Sequence, residues 1–225
     1  MKIGVVIPYR ETPSRKLALD VVLKWYENNY PGIDIIYADK PGEWQHSGTR
    51  NLGVKKAQEA GWDVIIMNDA DTIPEFESLQ RAISAAMSDK LIHNPYTMCH
   101  YLTDEQTQRV IAGEQPFAVG MTNQMSWLCG GVFVFRPEAW WILGGMDEKI
   151  TTGPEDAAFQ RAHQVIHDMN IVKHPGSIYC LSHDRVEKET KEDWDREAYN
   201  QNLYQEYLNT TDPKAMLDLV TRRNP

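Results

Sequence analysis

Three short apolar runs, separated by segments with helical periodicity, constrain the fold of the first ninety residues. The runs Ile3–Ile7, Ile33–Ala38 and Asp63–Met67 are rich in β-branched residues, as is typical of strands buried on both faces of a sheet. The segments 14–29 and 47–60 lie between them and are predicted to be helices. This alternation favours an open α/β sheet with right-handed crossovers.

The carboxyl ends of these strands carry the first candidates for function. Open α/β sheets bind their ligands at that edge. Arg10 follows the first strand, Asp39 ends the second, and the stretch Asp69–Asp71 follows the third. We therefore expect these side chains to converge on one site.

The second half of the chain has a less regular pattern. Pro74 is predicted to be the first residue of a third helix, a position that proline tolerates well. Residues 93–125 are predicted to form a loop with one helix near Thr103–Ala112. The remaining predicted elements are a strand at 130–135, a short helix at 137–143, a helix opened by Pro154, strands at 171–174 and 178–181, and charged helical sequence beyond Asp184.

Composition and charge exclude several classes of function. The 225 residues include 23 Lys and Arg against 32 Asp and Glu, a net charge of −9, which argues against general nucleic-acid binding and binding to anionic membranes. Three cysteines without a Cys-x-x-Cys pair fit a reducing compartment. The N-terminus is predicted to be a strand rather than a signal peptide, and no apolar run approaches the ~18 residues of a membrane span. We expect a cytoplasmic protein.

Asp69 and Asp71 form a D-x-D pair directly after a buried strand. Two carboxylates held in this way suit Mg²⁺ or Mn²⁺, whose remaining positions go to a diphosphate and water. The alternative is that the pair has a structural role, because D-x-D tripeptides are common and Asp also caps helices. The position favours the metal, since packing explains polar residues at the end of a buried strand poorly.

Five segments occur in the order in which GT-A glycosyltransferases carry their motifs. They are Val5–Arg10, the A-R-N-x-G-like Ser47–Gly53, Asp69–Asp71, the pair of glycine motifs Cys129–Gly131 and Gly144–Glu148, and Glu155-Asp156. Residues 3 to 185 thus resemble GT-A glycosyltransferases, in particular family 2 and the catalytic domain shared by β-1,4-galactosyltransferases and polypeptide N-acetylgalactosaminyltransferases. The resemblance implies one Rossmann-like α/β domain over residues 1–185, with a mixed, mostly parallel central sheet flanked by helices. A helical extension, 186–225, is expected to pack on or near it.

The resemblance also implies an activity and a set of site residues. The activity is transfer of one sugar from a nucleotide-diphosphate sugar, with UDP favoured, to a hydroxyl of a carbohydrate, protein or lipid-linked acceptor. Inversion is favoured, with Asp156 as the base and Glu155 as the alternative. The implied ligands of Mn²⁺ or Mg²⁺ are Asp69, Asp71 and His183. The implied donor-binding residues are Pro8, Arg10, Asp39, Arg50, Asp69, Gly130, Gly131 and Trp127.

Most of these assignments have a structural alternative. Arg50 is equally suited to an ion pair, Asp39 to a turn, and the glycine pair to a bulge. Glu155 and Asp156 complement the dipole of the helix they begin, which lowers the pKa of carboxylates there, so that a base at this position needs desolvation and positioning.

Other functions remain as rivals. A sugar nucleotidyltransferase on the same fold is disfavoured, because the loop Tyr9–Lys16 lacks the glycines of its phosphate-binding loop. A processive synthase is disfavoured by the absence of a Q-x-x-R-W motif. A non-catalytic nucleotide-sugar or glycan-binding relative stays open, and the segment Thr151–Pro154 departs from the tryptophan- and glycine-rich run of many relatives.

Overall fold

The computed structural model describes residues 1–120, 123–151, 153–184 and 190–223. The strands are β1 (Ile3–Pro8), β2 (Asp34–Ala38), β3 (Val64–Asn68), β4 (Thr72–Pro74), β5 (His93–Asn94), β6 (Met98–Tyr101), β7 (Asn123–Met125), β8 (Val132–Phe135), β9 (Val172–Lys173) and β10 (Ser177–Cys180). The helices are α1 (Pro13–Asn29), α2 (His46–Glu59), α3 (Phe76–Ala86), α4 (Asp104–Ile111), α5 (Pro137–Ile142), α6 (Glu155–His167), α7 (Lys191–Asn209) and α8 (Pro213–Arg223), with a short 3₁₀ helix at Pro116–Ala118.

The central sheet has the strand order β2-β1-β3-β8-β5-β9. Strand β1 is parallel to β2 and β3, and β5 is parallel to β9, whereas β8 runs antiparallel to both of its neighbours. The predicted mixed, mostly parallel sheet is thereby confirmed. Because β8 is antiparallel, its first residue, Val132, pairs with Asn68 at the end of β3. The turn before β8 therefore lies at the edge where β1, β2 and β3 end.

A second sheet, with the order β4-β10-β6-β7, is a feature that the sequence pattern did not predict. It corrects the assignment of Pro74, which ends β4 and pairs with Ile178, while the helix begins at Phe76. It also adds β6 and β7 within the loop predicted at 93–125, where β5 belongs to the central sheet. These strands are two to four residues long and pair with distant segments, so no local periodicity reveals them.

Several element boundaries differ by a residue or two from those predicted, and two of them concern the glycine and acidic motifs. The strand expected at 130–135 begins at Val132, because Gly131 has a φ of +86°, outside the range of a strand. Helix α6 begins at Glu155, directly after Pro154. Thr152 and the predicted domain boundary between residues 185 and 186 lie outside the described residues.

The core lies on both faces of the central sheet, as the continuous apolar strands imply. Val5 and Ile7 of β1 pack with one core cluster, and Val6 packs with the other. Helix α2 lies very close to β1, since a Cβ on Gly53 would stand 2.3 Å from Cγ1 of Val6. This close packing sets the position of α2 and of the side chains that it directs towards the sheet edge.

Helices α7 and α8 pack against α6. Their shared apolar cluster is Ile150, Ala158, Ala162, Val165, Leu203, Tyr207, Met216, Leu219 and Val220. The buried carboxylate of Asp147 joins them, since it accepts a hydrogen bond from the Tyr207 hydroxyl at 3.1 Å and lies 3.6 Å from Nε of Arg223. None of the described helices combines the length and the apolar character that a membrane crossing requires.

We expect Tyr207→Phe to lower the free energy of unfolding by about 1–3 kcal/mol, because it leaves a buried carboxylate without one of its donors. Chemical denaturation of the full chain measures the change. Tyr199→Phe is the matched control, since Tyr199 lies on the same helix with 53% of its surface exposed. Equal effects of the two substitutions would show that the Asp147 contact does not hold the C-terminal helices.

Candidate active site

The turn that follows β3 is held in place by a buried asparagine. Asn68 accepts a hydrogen bond from the Tyr26 hydroxyl at 2.8 Å and donates from Nδ2 to the carbonyls of Asp69 and Thr72 at 2.7 and 2.8 Å. The amide of Asp69 donates to the carbonyl of Gly131 at 2.8 Å. The D-x-D turn thus has a fixed backbone. Sequence analysis assigned no role to Asn68 or Tyr26, whose pairing joins distant parts of the chain.

Arg50 of α2 lies at the centre of the site, with 2% of its side chain exposed. Its Nη1 donates to Oδ1 of Asp156 at 2.7 Å, and its Nη2 donates to both carboxylate oxygens of Asp69 at 2.9 and 3.0 Å. Burial acts to lower the pKa of Arg50, but the two carboxylates outweigh it and the pKa is raised. One permanent cation therefore joins the D-x-D turn to the start of α6.

The glycine turn before β8 leaves room for the Asp156 carboxylate. A Cβ on Gly130 would stand 2.1 Å from Oδ2 of Asp156, so no side chain fits there. Gly131 has a φ of +86°, which L-residues rarely adopt. Both predicted glycines are thus required by the geometry, one by a close approach and the other by its backbone conformation.

Two buried side chains from the segment that was predicted as a loop hold this glycine turn. The hydroxyl of Tyr96 donates to the carbonyl of Gly130 at 2.5 Å. Nδ2 of Asn94 donates to the carbonyls of Cys129 and Val132 at 3.1 and 2.7 Å. Sequence reasoning missed both residues, because nothing in the local pattern links them to the turn.

The two neighbouring carboxylates of α6 have different surroundings. Asp156 is 22% exposed and bound to Arg50, whereas Glu155 is 6% exposed and its Oε2 has no hydrogen-bond partner among the described residues. Burial, together with the charge of Asp156, raises the pKa of Glu155 well above its usual range. Burial also raises the pKa of Asp156, and Arg50 acts in the opposite direction. Desolvation thus outweighs the helix dipole at both positions.

Asp71 and His183 form a pair at the other side of the D-x-D turn. Oδ2 of Asp71 lies 3.0 Å from Nε2 of His183, and Nδ1 of His183 lies 2.8 Å from the carbonyl oxygen of Asp184. A carbonyl only accepts, so Nδ1 carries a proton, and Nε2 forms the hydrogen bond to Asp71 that raises the pKa of His183. A divalent ion at this pair would take the place of the proton on Nε2.

The Asp71–His183 pair fits a divalent ion. A carboxylate oxygen and an imidazole nitrogen are both ligands of divalent ions, and these two atoms, 3.0 Å apart, would be close enough to hold one ion. The third predicted ligand, Asp69, has both oxygens on Arg50 instead. Accordingly, no cluster of three or more His, Cys, Asp or Glu side chains arranged for a metal occurs within the described ranges.

Arg10 and Asp39 meet at the ends of β1 and β2. Nη2 of Arg10 lies 2.6 Å from Oδ1 of Asp39, and the same guanidinium donates to the carbonyls of Lys40 and Gly42. It also lies over the ring of Trp44, 5.5 Å from the centroid. Sequence analysis had not selected Trp44.

Pro8 is the buried last residue of β1 and pairs with Ala38 of β2. It therefore lies in the sheet just before Arg10 and Asp39.

Trp127 stands apart from the residues described so far and is 73% exposed. It lines a groove of about 840 Å³ together with Tyr101, Gln124 and Leu128, and His183 contributes to the same groove. The groove therefore begins at the Asp71–His183 pair and extends over the second sheet.

Asn51, which follows Arg50, fixes the Gly144–Glu148 motif to α2. Its Nδ2 donates to the carbonyl of Met146 at 2.9 Å, and its Oδ1 accepts from the amide of Met146 at 3.0 Å and from Nε1 of Trp140 at 2.9 Å. The sequence indicated the Gly144–Glu148 motif, but it did not predict the hydrogen bonds from Asn51 that position the motif.

Comparison with solved structures identifies the fold. The chain resembles Drosophila β-1,4-galactosyltransferase 7 in complex with manganese, UDP-Gal and xylobiose, with 14% identity, a TM-score of 0.55, and coverage of 87% of this chain and 79% of that one. It resembles the mannosyltransferase PcManGT of Pyrobaculum calidifontis in complex with GDP-Man and Mn²⁺, with 13% identity, a TM-score of 0.51, and coverage of 98% and 69%. It also resembles GalNAc-T7 with UDP, GalNAc and Mn²⁺, with 12% identity, a TM-score of 0.51, and coverage of 97% and 56%.

No protein-family model matches the chain, and no curated protein matches it. The structural likeness confirms the predicted GT-A fold. At this level of identity it establishes the fold alone, and function has to be argued from the site.

We expect Glu155→Gln to stabilise the protein at alkaline pH and to change little at acid pH. A carboxyl whose pKa is raised by folding costs stability as the pH rises from its unfolded value of about 4.5 towards its folded value of about 8, and glutamine stays neutral throughout. The gain at pH 8 is about 1–3 kcal/mol, measured by denaturation at several pH values.

Glu77→Gln is the control, because Glu77 also occupies the first turn of a helix but is exposed. A stability difference between Glu155→Gln and wild type that does not vary with pH would contradict the raised pKa.

Proposed function

We propose that this chain is a metal-dependent glycosyltransferase that transfers one sugar from a nucleotide-diphosphate sugar to a hydroxyl acceptor. The observation that carries the proposal is the Arg50 bridge, which brings the D-x-D carboxylate Asp69 and the acidic pair at the start of α6 to one point. A structural ion pair alone does not explain the unpartnered Oε2 of Glu155 or the contact of His183 with Asp71, the second carboxylate of the D-x-D turn. The similar structures that hold UDP-Gal, UDP or GDP-Man support a nucleotide-sugar donor, with UDP favoured.

Asp71 and His183 are the residues we assign to Mn²⁺ or Mg²⁺. When bound, such an ion supplies positive charge that stabilises a departing diphosphate. Asp69 keeps both oxygens on Arg50, so we assign it to the donor ribose rather than to the ion.

The donor nucleoside is assigned to the edge where β1 and β2 end. Asp39 is held by Arg10 and is 46% exposed, so it accepts a hydrogen bond from the base or the ribose. We also assign the backbone of the Gly130–Gly131 turn to the transferred sugar, next to the Asp156 carboxylate that lies against it.

Asp156 is the better candidate for the base. Its Oδ1 is held by Arg50, while Oδ2 lies against the glycine turn, 2.1 Å from where a Cβ on Gly130 would stand. The acceptor oxygen attacks the anomeric carbon as the bond to the diphosphate breaks, and the hydroxyl proton passes to Oδ2 of Asp156. Attack from the side opposite the leaving group inverts the anomeric carbon. Glu155 is more deeply buried and, with its raised pKa, retains its proton at neutral pH, so it donates a hydrogen bond instead.

The acceptor is assigned to the groove that begins at His183. An exposed indole such as Trp127 offers a flat apolar face on which a sugar ring stacks. This favours a carbohydrate acceptor over a protein or lipid-linked one.

The test is release of nucleotide from a panel of UDP- and GDP-sugars, with and without Mn²⁺ and with a panel of saccharide acceptors. We expect metal-dependent release from one donor, and Asp71→Asn should lower its rate by about 10²–10³-fold. Asp156→Asn should lower transfer to the acceptor by about 10²–10⁴-fold and leave UDP binding nearly unchanged, as expected for loss of a base.

Asp34→Asn serves as the control, since this carboxylate is 59% exposed at the opposite edge of the sheet. Nucleotide binding without release from any donor would contradict the catalytic proposal and favour a non-catalytic nucleotide-sugar-binding protein.

A further inference from the structure

The cations around the candidate active site differ in whether they are free to bind a ligand. Arg50 and Arg10 both have carboxylate partners, as described above. The ammonium group of Lys40 pairs with Glu148. Arg15 is different. Among the arginines that the structure describes, it is the one whose guanidinium has neither a hydrogen-bond acceptor nor a carboxylate within ion-pair distance.

Arg15 lies where the first turn of α1 meets the site. Its guanidinium stands over the ring of Trp44, 5.1 Å from the centroid, so it shares that ring with Arg10. The hydroxyl of the preceding residue, Ser14, accepts a hydrogen bond from the amide of Asp184 at 3.1 Å. That contact brings the start of α1 to the residue next to His183.

A cation in this position is locally unfavourable. The first turn of a helix is the positive end of its dipole, where a positive charge is destabilising, and α1 has no acidic residue there. The neighbouring Lys16 is compensated by Asp20 at 2.5 Å, whereas Arg15 has no carboxylate of the described residues within ion-pair distance. A residue that is unfavourable for its local structure and has no compensating partner is expected at functional sites. An anion beside Arg15 would compensate its charge.

We propose that Arg15 binds the diphosphate of the nucleotide-sugar donor and stabilises the negative charge of the leaving nucleotide. The inference rests on the proposed function and adds the residue that supplies its fixed positive charge. Guanidinium suits this role, because its planar N–H groups match phosphate oxygens in pairs. The sequence had suggested Arg50 for the phosphates, but its terminal nitrogens are engaged with Asp69 and Asp156.

The experiment compares the Kd of UDP and of uridine, and likewise of GDP and guanosine, in the presence of Mn²⁺ by competition binding. Arg15→Gln should weaken binding of the diphosphate by about 10- to 100-fold and leave the nucleoside unchanged. Arg15→Lys should recover part of the loss, since it keeps the charge but not the paired donors. Lys16→Gln is the matched control, because it removes the same charge one residue further along α1 and should change the diphosphate Kd less than about twofold.

The outcomes separate this inference from the function on which it rests. The role of Arg15 would be overturned if Arg15→Gln and Lys16→Gln weakened UDP binding equally, or if Arg15→Gln weakened the binding of UDP and of uridine equally. In either case nucleotide binding by the wild type would still support the proposed function. A wild-type protein that binds neither UDP nor GDP would overturn the proposed function and this inference together. Unchanged thermal stability of Arg15→Gln would confirm that a loss of binding does not arise from unfolding.

Discussion

The buried guanidinium of Arg50 is the interaction on which the site depends. A charge removed from water is tolerated only when it is paired and hydrogen-bonded, and removing one partner of such a pair costs about 3–5 kcal/mol. The turn after β3 and the start of α6 must therefore both deliver a carboxylate to the same point. Asp69 and Asp156 meet this requirement, and the close approach of α2 to β1 through Gly53 holds Arg50 between them. One cation thus connects two motifs that are far apart in the chain.

This arrangement divides the charged residues of the site into two groups. Arg50 is committed to the protein's own carboxylates, so it organises Asp156 and leaves one oxygen of that residue beside Gly130. Glu155, next in the chain but without such a partner, is pushed towards its neutral form by burial. The charges that the proposed function assigns to ligands lie elsewhere, on Arg15 and on the Asp71–His183 pair. We call Arg50 with its two carboxylates the inner cluster, and Arg15 with the Asp71–His183 pair the outer cluster.

The sequence predicted those parts of the structure that have a local signal. The continuous β-branched runs of β1, β2 and β3 are such a signal, and the order of the acidic and glycine motifs placed their residues at the edge of the sheet. Strands β4, β6 and β7 have no comparable signal, because their stability comes from pairing with one another and with β10, the strand that the sequence predicted at 178–181. The same holds for Asn51, Asn68, Asn94 and Tyr96, buried polar residues that are positioned by hydrogen bonds to distant parts of the chain. The Gly130–Asp156 contact likewise depends on tertiary packing, so the sequence predicted both residues but not their dependence on each other.

A crystal structure of the full chain with UDP and Mn²⁺ bound tests the central claim most directly. The account predicts that Arg50 remains on Asp69 and Asp156 when the nucleotide is present, and that the guanidinium nearest the diphosphate belongs to Arg15. A structure in which Arg50 has left either carboxylate to bind the phosphates would contradict it, because the inner cluster would then be part of the donor site rather than its support.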